Sequence, residues 1–173
     1  MNTLYNNLKK YNETYAINSN IQIANPITRD NQFILCNALL EGYHCLPKIP
    51  TESSGIVTIL VDNEKNGFFF DLVIRKVVGF QSCHIYLLND KSEIDTLLFN
   101  IQSTDYIKPS IKLSGHFLRD FIPIQNSLIS ISLNTFIQYI RDSKILIRIQ
   151  TNDFPDGLIC GTIIPFQFFQ YHS

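Results

Sequence analysis

From Gly55 onward the chain repeats one pattern, a short run of β-favouring apolar residues followed by a cluster of turn formers. The runs fall at 56–61, 68–78, 82–88, 96–102, 111–117, 145–151 and 158–165. Seven short strands with regular turns between them point to an antiparallel sandwich or barrel. Between the first two runs stands Asn66-Gly67. Both residues tolerate the positive φ angles of a tight hairpin turn, so these two runs are expected to pair. One segment breaks the β pattern. Over 132–142, Leu133, Phe136, Ile137 and Ile140 recur at helical spacing behind Ser132, whose hydroxyl can cap the free amides of a first turn. The expectation is an all-β domain with one short helix at about 132–142.

A chain of 173 residues suits one domain with an elaborated end. Its 45% hydrophobic content can fill an ordinary core without metal or disulfide staples. Only 17% of residues are charged and the formal net charge is −1, so there is no basic footprint for nucleic acid or an anionic membrane. A bilayer span needs about 20 consecutive apolar residues, and Asp71, Arg75, Asn134 and Arg148 interrupt the richest regions. The opening Met1-Asn2-Thr3-Leu4-Tyr5-Asn6-Asn7-Leu8-Lys9-Lys10 lacks the apolar run of a Sec signal, so export by that route is not expected. Abundant Ile and Asn with no Trp suggest an AT-rich, bacterial source.

Residues 1–50 differ in character from the rest of the chain. They are polar and Asn-rich, carry apolar bursts at 21–24 and 32–36, and run into Pro47-Lys48-Ile49-Pro50-Thr51-Glu52-Ser53-Ser54-Gly55, a linker by its turn chemistry. The expected organisation is an N-terminal arm at 1–50, a β-domain at 51–165 and an aromatic tail at 166–173. In the arm, Ile21, Ile23, Phe33 and Leu35 are strand formers suited to adding to the sheet edge of a neighbouring copy. Folding back onto its own domain is the competing outcome. None of Cys36, Cys45, Cys83 and Cys160 forms a C-x-x-C pair. Cys83 and Cys160 lie in apolar runs and are expected to be small buried hydrophobes. Cys36 and Cys45, in the arm, are candidates for a local pair or for disulfides between chains.

Catalytic signatures are sparse. His44, His84, His116 and His172 include no pair at metal-chelating spacing. There is no G-x-S-x-G elbow and no glycine-rich phosphate cradle. Asp90, Glu93 and Asp95 read as a solvated loop, and no cofactor is expected. A metal enzyme would require His84 and His116 to converge with an acid such as Asp120.

Cys83-His84-Ile85-Tyr86-Leu87, the strand Thr96-Leu97-Leu98-Phe99, the short helix and the closing block 145–163 together resemble the chordin-type family known as CHRD, over about residues 53–164. Pro155-Asp156-Gly157 running into Leu158-Ile159-Cys160-Gly161 carries the likeness furthest. Tyr86 and Gln150 stand where the family has histidines, so His84, Tyr86, Gln150, Pro155, Gly157 and Gly161 are the motif positions to follow. The resemblance implies an antiparallel immunoglobulin-like or superoxide-dismutase-like sandwich and no established enzymatic activity. It leads to the expectation of a non-enzymatic structural protein, a coat, exosporium or appendage subunit of a cell or spore surface. Such a subunit would be assembled from the cytoplasm, the alternative location being the cytoplasm itself, with itself as first partner and other surface proteins as second. The alternative is a monomeric ligand- or protein-binding module using loops 89–95, 103–110 and 152–157.

Overall fold

The computed structural model describes residues 33–101 and 112–165. The strands are β1 (Phe33–Glu41), β2 (Ser54–Asp62), β3 (Gly67–Val78), β4 (Phe80–Leu88), β5 (Ile94–Ile101), β6 (Lys112–Pro123), β7 (Ile145–Thr151), β8 (Ile159–Thr162) and β9 (Ile164–Pro165), with one helix, α1 (Leu133–Arg141). The strands join in one sheet ordered β5-β4-β7-β8-β1-β2-β3-β6, with β9 beside β1. Every pairing is antiparallel. The all-β expectation holds, and a single curled sheet supplies both layers of the sandwich-like core.

The curl follows from where the aromatic residues face. In a flat sheet β3 and β5, six places apart in the order, would lie about 29 Å from each other at the usual spacing of about 4.8 Å. Instead the rings of Phe68 on β3 and Phe99 on β5 are 5.3 Å apart, edge to face. Alternation along each strand produces this inner face. Val57, Ile59 and Val61 of β2 and Ile145, Ile147 and Ile149 of β7 are buried, while the residues between them are half-covered.

The open side of the curl is closed by the connection from β6 to β7. After β6 the chain passes through a short 3-10 turn and hydrogen-bonds β5 through Leu128 N–H to the Leu98 carbonyl at 2.7 Å. It then forms α1. The Ser132 hydroxyl accepts from Thr135 N–H at 3.1 Å, as the sequence expects, and such a cap contributes about 1 kcal/mol. Leu133, Phe136, Ile137 and Ile140 point into the core, where Phe136 stacks on Phe68 at 5.0 Å and meets Phe99 edge-on at 5.7 Å.

The arm expectation needs correction. Phe33–Glu41 is β1, paired residue for residue with β2 from Phe33↔Asp62 to Glu41↔Ser54 and bordered on its other side by β8 and β9. It is a central strand of the domain, because its alternating Cys36, Ala38 and Leu40 complete the inner face. The proline-bearing stretch 47–53 is the connection between two neighbouring strands. Ile21, Ile23, the rest of 1–32, the loop 103–110 and the aromatic tail lie outside the described residues.

The cysteines also differ from expectation. Cys45 is bonded to Cys160 within the chain, across 115 residues of sequence. Cys160 is therefore not a lone hydrophobe, and Cys45 is not free for a neighbouring chain. Cys36 and Cys83 are the free thiols, both buried on the inner face. Burial pushes the Cys36 thiol up to about 12, so it carries almost no thiolate near neutrality.

Candidate functional site

The outward face of the sheet divides into a polar half over β5, β4, β7 and β8 and a half over β1, β2, β3 and β6 in which a polar row runs between two apolar ones. Strand register builds the polar half. Asn100 on β5 lies opposite His84 on β4, His84 opposite Arg148 on β7, and Arg148 opposite Cys160 on β8. These four positions make one row perpendicular to the strands. Ser82 and Gln150 stand directly opposite each other in the next such row, and the Ser82 hydroxyl donates to Gln150 Oε1 at 2.9 Å.

A directed chain of hydrogen bonds runs through the first of these rows. Asn100 Oδ1 can only accept, so His84 Nε2 carries the hydrogen and donates to it at 3.1 Å. The neutral ring then offers Nδ1 as acceptor, and the Tyr86 hydroxyl, 2.9 Å away, donates to it. That leaves the Tyr86 oxygen to accept from Arg148, whose guanidinium also sits over the Tyr86 ring at 5.3 Å from its centre. His84 is held neutral: partial burial pushes its pKa below 6.5 and the Arg148 charge adds to this, against the bond to Asn100.

The lowered pKa has a sign that can be measured. As pH falls below about 6.5, the unfolded chain takes up a proton at this position before the folded chain does. Stability present above that pH is therefore lost on acidification. Urea unfolding at pH 8 and pH 5.5 is expected to show a larger acid loss for the native chain than for His84→Gln, and equal losses would remove His84 from the account.

The turn after β7 completes the polar half. Gln150 Nε2 donates to the Pro155 carbonyl, and Gly157 N–H to the Phe154 carbonyl at 3.0 Å. Gly157 has φ of +109°, and a β-carbon there would come within 2.7 Å of Arg148 Cγ, so glycine both permits the turn and makes room for the arginine stem. Gly161 has a different reason. A β-carbon on it would lie 2.2 Å from the Leu39 carbonyl oxygen, so β8 approaches β1 only without a side chain there.

The motif positions His84, Tyr86, Gln150, Pro155 and Gly157 thus gather on one face, with Gly161 two strands away on the seam. Arg148, Asn100 and Ser82 belong to the same cluster, although no sequence motif singles them out. The signal that could have found Arg148 is its place in the alternation of 145–151, where positions 146, 148 and 150 face outward. Loops 89–95 and 152–157 do not form one site, because they leave opposite ends of the β4–β7 pair. The first is organised by Asn89, whose Oδ1 accepts from Lys91 N–H and Glu93 N–H, and by an Asp90–Lys144 ion pair. His84 and His116 lie on strands separated by five others in the sheet order, and both His84 nitrogens are engaged. Among the described residues no three His, Cys, Asp or Glu side chains are grouped to hold a metal. No helix among them is long and apolar enough to cross a membrane.

The other half is arranged in three cross-strand rows, two apolar and one polar. Leu35, Leu60, Phe69 and Phe121 align across β1, β2, β3 and β6, as do Leu39, Ile56 and Val73 across the first three. Asn37, Thr58, Asp71 and Arg119 run between them. Leu39 is 51% exposed; Tyr43 and Leu46, in the connection after β1, are 57% and 71% exposed, and Ile164 on β9 is 50% exposed. Comparison with protein-family models, curated proteins and solved structures finds no match to this chain.

Proposed function

We propose that this chain is a non-enzymatic structural protein, a divergent CHRD-type β-domain that assembles with copies of itself at a cell or spore surface as a coat, exosporium or appendage subunit. The observation that carries this reading is the group of exposed apolar side chains Leu39, Tyr43, Leu46 and Ile164 on β1, the connection after it and β9. The outward side of an antiparallel sheet is ordinarily polar when it meets water, and contiguous exposed apolar surface marks an interaction site. The Cys45–Cys160 bond supports oxidising surroundings such as a surface layer.

Light scattering of the purified chain tests the reading. The native chain is expected at a multiple of its 19.9 kDa mass, and Leu39→Glu at the monomer mass, because a carboxylate replaces the exposed centre of the patch. A chain lacking residues 1–32, which leaves β1 intact, tests whether the N-terminal segment contributes. A native monomer at every concentration would overturn self-assembly and favour the binding-module alternative.

A further inference from the structure

Arg148 lies between β4 and β8 with its stem fixed and, among the described residues, no carboxylate in ion-pair contact with it. The stem lies in the slot left by Gly157, and Nε is buried with no hydrogen-bond partner. Of the rest of the guanidinium, the neutral Tyr86 oxygen takes one bond. A partly desolvated guanidinium without a counter-charge is an unfavourable arrangement. The group that matches its planar fork is a carboxylate.

The surroundings narrow the class of ligand. Asn100 is exposed and uses only its oxygen on His84, so its amide N–H groups remain to donate. Gln81 and Asn152 form an exposed amide pair at 2.6 Å at the end of the β4–β7 ladder. The turn that holds the Arg148 stem also exposes the ring of Phe154. Asp156, in the same turn, acts electrostatically on Tyr86. A ligand with hydroxyls beside its carboxylate can donate to Asp156 while the carboxylate lies on Arg148. Amides for hydroxyls, an aromatic face for a sugar ring and one arginine for one carboxylate form a consistent set.

We propose that the outer face of β4 and β7 binds a carboxylated polysaccharide of the uronic-acid class, with Arg148 taking the carboxylate, Phe154 the sugar ring, and Asn100, Asn152 and Gln81 the hydroxyls. The proposal rests on Arg148 and the turn beside it and not on self-assembly, and a separate measurement tests each.

Calorimetric titration of the full chain with oligogalacturonate, its methyl ester, and dextran sulfate tests the assignment. Binding of the acid, with the uncharged ester weaker by about tenfold or more, is the expected result, the factor that corresponds to loss of a charge-assisted contact. Arg148→Gln is expected to bring the acid down to the level of the ester. Phe154→Ala, at an exposed turn position that leaves the cluster in place, is expected to weaken acid and ester alike, which keeps the test open should the arginine variant fail to fold. Equal binding of acid and ester, binding of dextran sulfate as tight as that of the acid, or no binding of either sugar would overturn the proposal.

Discussion

Phe136→Ala lowers the unfolding free energy by about 3–5 kcal/mol, the range for removing a fully buried phenylalanine. Phe136 is completely enclosed and contacts both Phe68 and Phe99, which themselves meet across the curl. Its ring therefore joins three elements that are distant in sequence. A cavity at this point is held open from two sides, because β3 and β5 are each anchored in the hydrogen-bonded sheet and cannot follow the lost atoms inward. Urea unfolding followed by far-ultraviolet circular dichroism measures the loss. Gln138→Ala, on the exposed side of the same helix, is expected within about 0.5 kcal/mol of the native chain and controls for helix propensity. A loss below about 1 kcal/mol for Phe136→Ala would mean that the helix does not close the core.

Removing the disulfide with the pair Cys45→Ala and Cys160→Ala costs about 2–5 kcal/mol. The bond spans 115 residues, so it restricts a large part of the unfolded chain. In the folded state it reinforces a thin seam. β1 meets β8 through the single pair Glu41↔Cys160, and meets β9 only at Cys36 and Asn37. The melting temperature is expected to fall by roughly 2–4 °C per kcal/mol at this chain length. Dithiothreitol should reproduce the fall in the native chain and leave the double variant unchanged. A native chain indifferent to reductant would show that the seam holds without the bond.

Much of the fold was legible because its signals are local. The alternation of Ile145, Ile147 and Ile149 marks β7 to the residue, and Ser132 with Leu133, Phe136, Ile137 and Ile140 marks the helix to within one residue at each end. Asn66 adopts φ of +50°, as its place before Gly67 suggests, although the connection between β2 and β3 is longer than a two-residue turn. What escaped was non-local. β1 reads as arm because Asn37 interrupts its apolar residues and prolines come after it, and only pairing with β2 and with the end of the chain identifies it as a central strand. The Cys45–Cys160 pairing depends on that same placement. The site was half legible: the resemblance singled out His84, Tyr86, Gln150 and the 155–157 turn, whereas Arg148 and Asn100 join them through register, which no single segment contains.

β1 acquires its two neighbours at very different times. β2 begins at Ser54, but β8 and β9 come more than a hundred residues later, the last of the strands among the described residues. At roughly 5–20 residues per second the ribosome takes on the order of ten seconds to travel from Cys45 to Cys160. During that interval the other thiols of this sequence to be made are Cys36 and then Cys83, both destined for the core. Oxidation during emergence would lock Cys45 to a residue that the finished sheet must bury. Oxidation after the sheet has closed finds Cys45 and Cys160 already adjacent, with the competing thiols sealed inside. The order of events this architecture favours is folding under reducing conditions first, and covalent hardening afterwards.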